Sequence, residues 1–270
     1  MSRRVDNPFR RATPLAIAHR GQRATFPEQT LEAYEEAIRL GAEGIETDVQ
    51  RTRDGRLAML HDLTVDRTTD GHGPIAELDW DRVRTLDAGS WRGERFRGSR
   101  IPSLEDTIEL IVGAGLLLCV EIKGSAEDAP ATAVAVARLL RDRDLLDQVF
   151  ISSFDHAALA AARAEVGSPL FAPERLPEAG RSDPSIATGQ AVALDAAVLQ
   201  HRWEDLTPEV VAALHDAGTA VWSWPIDTLE SIRRSVQLGC DGIIGDDVPL
   251  LLEGLGRSQP AGAAPASPRS

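Results

Sequence analysis

Apolar residues fall into two alternating patterns between positions 15 and 255. Short apolar runs, LAIA at 15–18, LLLCVEIK at 116–123, VFISS at 149–153 and GIIG at 242–245, have the length and composition of buried strands. Between them, apolar positions recur every three or four residues. In LEAYEEAIRL at 31–40, Leu31, Tyr34, Ala37 and Ile38 share one helical face; Thr30 stands as N-cap and Gly41 follows the end. The same rhythm predicts helices from Ser103 to about Gly113, with Asp106 completing a capping box, and over 132–144, 155–165, 207–215, 228–238 and 246–255. In the last of these Asp246 and Asp247 read as caps. A second strand carries Ile45 to Val49 ahead of the Asp54-Gly55 turn, further strands are predicted at 169–172, 191–199 and 219–224, and a short helix within 173–189. Eight strands alternating with helices over 14–255 imply parallel βαβ units closed into a (β/α)8 TIM barrel. An open doubly wound sheet is the competitor, but its GxGxxG turn after the first strand is absent.

Two segments break the rhythm. Residues 1–13 read as a basic N-terminal arm, and 256–270, small, polar and Pro-rich, as a disordered tail. Residues 63–102, rich in Gly and Arg and carrying Trp80, Trp91 and Phe96, read as an insertion after the second strand with an apolar cluster of its own.

The chemistry collects where barrel strands end. Those ends carry His19 and Arg20, Glu46 and Asp48, Glu121 and Lys123, Ser153 and Phe154, Trp224, and Asp246. Glu46 and Asp48 are two apart and face one side of their strand, as do Glu121 and Lys123. Asp54-Gly55 marks a hairpin turn, and a two-residue loop there places Asp48 opposite His61. Three carboxylates from two strands make an all-oxygen set suited to a hard divalent cation, Mg²⁺ or Ca²⁺. The alternative is a salt-bridge network in which Lys123, Arg20 and Arg51 neutralise the same acids. Two histidines at one rim favour acid/base work. His72, His156, His201 and His215 read as surface or structural groups, with His201 the exception to watch because it follows a strand. Trp224, just before Pro225, reads equally as core or as a substrate-facing wall. Trp222 falls on its face by alternation, so one of the two would mark a bulge.

Charge narrows the partners. With 29 basic and 42 acidic residues the net charge is −13, against a general nucleic-acid binder or adsorption to anionic membranes. No apolar run approaches membrane-span length, and Leu15–Ala18 is too short for a signal core. The two cysteines, Cys119 and Cys240, read as free buried thiols of a reducing compartment, which makes the cytoplasm the expected location.

Taken together, AHRG at 18–21, PEQT at 27–30, GAEGIETDVQRTRDG at 41–55, LHD at 60–62, RTTDGHG at 67–73, LDAGSW at 86–91, IPSLED at 101–106, EIKG at 121–124 and GCDGIIGDDVP at 239–249 resemble the glycerophosphodiester phosphodiesterases. The resemblance spans about residues 15–253. It implies a metal-dependent barrel that cleaves small glycerophosphodiesters, such as glycerophosphocholine and glycerophosphoethanolamine, to sn-glycerol 3-phosphate and an alcohol. It further implies His19 and His61 as the acid/base pair, Glu46, Asp48 and Glu121 as metal ligands, and Arg20 and Lys123 as the phosphate cations; Trp224 is the candidate substrate contact by its place at a strand end. Rival readings are a lysophospholipase D-type activity on lysolipids and a barrel that only binds phosphodiesters. This chain departs from the family pattern at Gln29, where Asn is common, at Asp227, where Asn is frequent, and at Gly245, where Thr often stands.

Overall fold

The computed structural model describes residues 7–176 and 182–260. In chain order the elements are β1 (Leu15–His19), α1 (Leu31–Leu40), β2 (Gly44–Arg51), β3 (Leu57–Met59), α2 (Trp80–Val83), α3 (Leu104–Gly113), β4 (Leu117–Ile122), α4 (Ala129–Asp142) and β5 (Val149–Ser152). There follow α5 (His156–Val166), β6 (Leu170–Phe171), α6 (Pro184–Ala193), β7 (Val198–Arg202), α7 (Pro208–Asp216), β8 (Ala220–Trp224), α8 (Leu229–Leu238), β9 (Gly242–Gly245) and α9 (Val248–Gly254). All strands but β3 run parallel, in the order β6-β5-β4-β2-β1-β9-β8-β7. The ends of that order meet through a bridge between Glu174 and Gln200 and through the bonds Ala197 N to Phe171 O, 3.2 Å, and Gln200 N to Pro173 O, 2.9 Å. The expected (β/α)8 barrel is therefore present.

Apolar strands are buried on both faces because they separate two cores. Leu15, Ile17, Cys119, Phe150, Trp222 and Ile244 fill the barrel interior. Ala16, Ala18, Ile45, Val120, Ile151 and Val221 pack outward against the helices. Trp222 and Trp224 do share the inner face, one deep and one at the mouth, without a bulge. The lower end of the barrel is stopped by residues expected to belong to the arm. Phe9 packs edge-on against Phe150 at 4.7 Å. Asn7 Nδ2 donates to Ala197 O and Gly218 O at 2.6 and 2.9 Å. Residues 1–6 and 261–270, which hold the rest of the expected arm and most of the expected tail, lie outside the described residues.

Caps follow the sequence rules. Thr30 accepts from Ala33 N, and Ser103 and Asp106 form a full capping box. Helix ends shift by up to three residues, α4 starting at Ala129 rather than 132, and two larger differences from expectation stand out. The strand expected at 191–199 begins only at Val198, because α6 runs on to Ala193. Its start was legible in Asp183-Pro184, an N-cap with Pro in the first turn, whereas the apolar run after it reads as either element. Residues 177–181 of the segment expected to hold a short helix lie outside the described residues.

The second difference is the hairpin. β2 pairs with β3 as Val49–Met59, Gln50–Ala58 and Arg51–Leu57. Thr52 N bonds Arg56 O, so three residues, 53–55, form the loop, with Gly55 left-handed at φ 87°. A three-residue loop shifts pairing by one, and Leu60 N meets Asp48 O. His61 is thus not opposite Asp48; it lies two residues past β3. The insertion packs Val65, Ile75, Val83, Leu86 and Ile101 against Ala58 and Leu60, the separate cluster that the sequence predicts.

Candidate active site

Parallel register does what one hairpin cannot. His19 stands beside Glu46 across β1 and β2, and Asp48 beside Glu121 across β2 and β4. The carboxylates of Glu46, Asp48 and Glu121, all buried, bring oxygens within 4.8 Å of one another. Such a cluster cannot stay fully ionised unaided. Burial, then Asp48 and Glu121, push Glu46 well above the usual carboxylate range. Burial pushes Glu121 up to about 7 against the pull of Lys123. Asp48 is the exception: burial would raise it, but Lys123 and Arg20 hold it low.

The cations expected to meet phosphate lie against these acids. Lys123 Nζ sits 2.5 Å from Glu121 Oε1 and 3.2 Å from Asp48 Oδ1. Arg20 Nε lies 2.8 Å from Asp48 Oδ2, and its Nη1 donates to Glu28 Oε1 at 3.0 Å. Arg51, the third cation of the network alternative, lines a cleft outside this site. The network is incomplete: both carboxylate oxygens of Glu46 are buried without a hydrogen-bond partner. Two cations facing three acids, with one acid unsatisfied, fit a hard divalent cation between them.

Each candidate histidine has Nδ1 held by an aspartate, which directs Nε2 elsewhere. His19 Nδ1 is 2.7 Å from Asp246 Oδ1, and its Nε2 lies 3.7 Å from Glu46 Oε2. Asp246 therefore orients an imidazole rather than capping α9. His61 Nδ1 is 2.6 Å from Asp62 Oδ1. Burial lowers the pKa of both rings and outweighs the acids beside them, favouring neutral imidazole.

Several residues here escaped the sequence reading. Glu28 is buried and receives Arg20, Arg23 and Arg67. Burial would raise its pKa, but Arg67, Arg20 and Arg23 hold it at about 2. Arg67 Nε also donates to Asp62 Oδ2 at 2.6 Å, so one chain of contacts runs His61–Asp62–Arg67–Glu28–Arg20–Asp48. Its only sequence signal is the PEQT match. Gln29, the departure, reaches further than Asn would: its Nε2 donates to Asp48 Oδ2 at 2.5 Å while Tyr34 and Thr47 hydroxyls bond its Oε1.

A cavity of about 150 Å³ opens above the acids, lined by His19, Glu46, His61, Lys123, Trp224 and Glu174 among others. Phe154 and Trp224 meet edge-on at 5.7 Å on one wall. The remaining histidines stay apart from it. His72 pairs with Asp66, His215 with Asp241, and His156 bonds the Glu174 carbonyl. His201 is buried and bonds Arg202 O. At Gly245 a Cβ would lie 2.2 Å from Ile226 O, so the loop after Trp224 packs here as no Thr would allow. Among the described residues no helix is long and apolar enough to cross a membrane.

Comparison with known proteins identifies the family. The family model of the glycerophosphoryl diester phosphodiesterase family matches residues 19–250. A glycerophosphodiester phosphodiesterase of Caldanaerobacter subterraneus subsp. tengcongensis is 35% identical over 238 residues, which cover 88% of this chain and 96% of the relative. Among solved structures, an Oleispira antarctica phosphodiesterase in complex with the product sn-glycerol-3-phosphate is 27% identical with a TM-score of 0.81, covering 90% and 97% of the two chains. The glycerophosphodiester phosphodiesterase from Agrobacterium tumefaciens str. C58 is 26% identical with a TM-score of 0.76, covering 88% and 98%. The family match runs from the rim histidine that ends β1 into α9 and takes in every strand from β2 to β9, and the chain belongs to the glycerophosphoryl diester phosphodiesterase family, as an enzyme.

Proposed function

We propose that this enzyme hydrolyses small glycerophosphodiesters, glycerophosphocholine and glycerophosphoethanolamine among them, to sn-glycerol 3-phosphate and an alcohol, with His19 and His61 as the acid/base pair. The observation that carries the reading is the pairing of each Nδ1 with an aspartate at 2.7 and 2.6 Å beside one cavity. An imidazole so fixed presents Nε2 as the working nitrogen, and its lowered pKa keeps it able to take a proton near neutral pH. One ring takes the proton of the attacking hydroxyl, either from water directly or from the glycerol 2-position, which closes a cyclic phosphate that water then opens to sn-glycerol 3-phosphate. The other returns a proton to the departing alcohol oxygen.

Glu46, Asp48 and Glu121 would hold Mg²⁺ or Ca²⁺, which when bound supplies positive charge where the phosphoryl oxygens accumulate negative charge. Arg20 and Lys123 stand next to those ligands and add to that charge. Glu28 and Gln29 fix Arg20 and Asp48 in turn. The Oleispira antarctica enzyme, whose structure holds sn-glycerol-3-phosphate, supports the product class. The small cavity, about 150 Å³, suits the water-soluble diester better than a lysolipid.

The test is His61→Ala with glycerophosphocholine, with Mg²⁺, with Ca²⁺, and with EDTA. Turnover should fall roughly 10²- to 10⁴-fold with an unchanged melting temperature, and EDTA should silence the unmodified enzyme. A folded His61→Ala enzyme that turns over normally removes the acid/base assignment.

A further inference from the structure

The two aspartates that hold the histidines are themselves held. Arg67 Nε and Nη2 donate to Asp62 Oδ2 and Oδ1 at 2.6 and 3.1 Å, while Nη1 and Nη2 donate to Glu28 Oε2 and Oε1 at 3.1 and 2.9 Å. Arg23 repeats the arrangement more loosely on the other side. Its Nε lies 3.5 Å from Asp246 Oδ2 and its Nη2 3.4 Å from Glu28 Oε2. Two relays therefore end on one carboxylate: His61–Asp62–Arg67–Glu28 and His19–Asp246–Arg23–Glu28. Glu28 is buried, and a buried carboxylate is a firm anchor because losing its partners is costly.

Charge and backbone support the same arrangement. The Arg67 hydrogen bond, against burial and together with His61, holds the Asp62 carboxyl at about 2. Burial would raise Asp246, but His19 and Arg23 hold it below its ordinary value. Both carboxylates thus stay ionised, as acceptors for an Nδ1–H. The loop that carries Arg23 and Glu28 is braced by the insertion. Arg92 donates to the Ala24 carbonyl, Arg95 Nη2 donates to Thr25 O at 3.0 Å, and the Phe26 and Phe96 rings meet at 5.2 Å. Neither Arg23 nor Arg67 is among the residues that line the cavity. Any effect they have on turnover passes through the groups they hold.

We propose that Arg67 and Arg23 are positioning residues that fasten the aspartates of His61 and His19 to the single carboxylate of Glu28, so that the two imidazoles keep one spacing across the cavity. The assignment rests on the acid/base roles proposed above. A guanidinium is a planar fork of N–H donors, and Arg67 commits it to two carboxylates at once, fixing Asp62 in direction as well as in charge. An imidazole whose aspartate drifts turns its Nε2 off the line of proton transfer, and a misplacement of about 1 Å can cost about a hundredfold in rate. As a plain ion pair Arg67 would add little stability, since its side chain is 43% exposed. Its contribution lies in turnover.

The test measures kcat and KM separately on glycerophosphocholine, with Mg²⁺ or Ca²⁺ supplied. Arg67→Ala should lower kcat roughly tenfold to a hundredfold with KM nearly unchanged, as expected when a residue that orients a working side chain is removed. Guanidinium ion, added well below denaturing levels, should restore part of the loss by entering the half-exposed gap. In an Asp62→Ala background the same change should cost less than about threefold, because the relay is already cut. Arg23→Ala should behave alike, with Asp246→Ala as its background. Arg67→Lys keeps the charge without the fork; its kcat should fall less, and it serves if Arg67→Ala melts early. Arg53→Ala removes an exposed pair with Asp79 between the hairpin and the insertion, and should leave turnover unchanged. The positioning role is overturned if folded Arg67 variants turn over normally, if Arg67→Ala costs as much without Asp62 as with it, or if Arg53→Ala loses as much. A normal His61→Ala enzyme defeats the acid/base assignment. An inactive His61→Ala beside a normal Arg67→Ala defeats the positioning role alone.

Discussion

Glu28→Gln offers a quantitative check on the electrostatics of the rim. The carboxylate is buried, yet three arginines hold its pKa at about 2 rather than 4.5. A depressed carboxylate pKa means that the folded state prefers the ionised form. Its contribution is fully present above pH 4.5 and is lost as pH falls through 4.5 toward 2. At about 1.4 kcal/mol per pH unit, the contribution is about 3 kcal/mol at pH 7 and about half of that at pH 3. Gln keeps the size of the side chain but cannot ionise, so it forfeits this contribution at every pH. Urea unfolding of both proteins at pH 7, 5, 4 and 3 gives the comparison. The two should differ by about 3 kcal/mol at neutral pH and converge as acid is added. Equal stabilities at pH 7, or a gap that does not narrow toward pH 3, would refute the reasoning. Turnover should fall as well, because Glu28 joins Arg20 to Arg67 and through it to the His61–Asp62 pair.

Three further outcomes are expected. Burial holds Glu121 at about 7, above its ordinary range, so this group favours folding at low pH and that benefit fades as pH rises through 7. Protons therefore compete with metal below neutrality, and the rise in melting temperature caused by Mg²⁺ or Ca²⁺ should shrink from pH 8 to pH 6; a metal effect independent of pH would count against Glu121 as a ligand. Gly245→Ala should cost about 2 kcal/mol or more in chemical denaturation, since its Cβ would press on Ile226 O at 2.2 Å. Gln29→Ala should cost about 1–3 kcal/mol, because it strips Asp48 of a buried donor and Tyr34 of an acceptor; thermal melts would show no change if those bonds were idle.

The barrel was legible because buried parallel strands are continuous apolar runs and each helix carries its own cap. An acid inside LLLCVEI announces itself by the cost of burying it, and so the three carboxylates could be named from spacing. The placement of His61 was less secure: Asp54-Gly55 fixes that a turn exists, but a loop of two or three residues decides the register. Asp246 looked like a cap because a short-range role was available, and nothing local shows that β1 brings His19 within 2.7 Å of it. Glu28 and Glu174 were invisible for the same reason. Glu28 meets Arg67 from 39 residues on as well as Arg20 and Arg23 close by, and no spacing within one element marks either acid, so periodicity carries no trace of them.

The stopper at the lower end of the barrel has a practical side. Asn7 is fastened to the loops that enter β7 and β8, at the end away from the rim. A linker joined ahead of it leaves from that closed end. Immobilised through its N-terminus, the enzyme would stand with its mouth facing the solution, and a fused partner would not compete with diesters for entry. Cutting back past Phe9, by contrast, would unplug the inner core beneath Phe150 and Trp222 rather than trim an appendage.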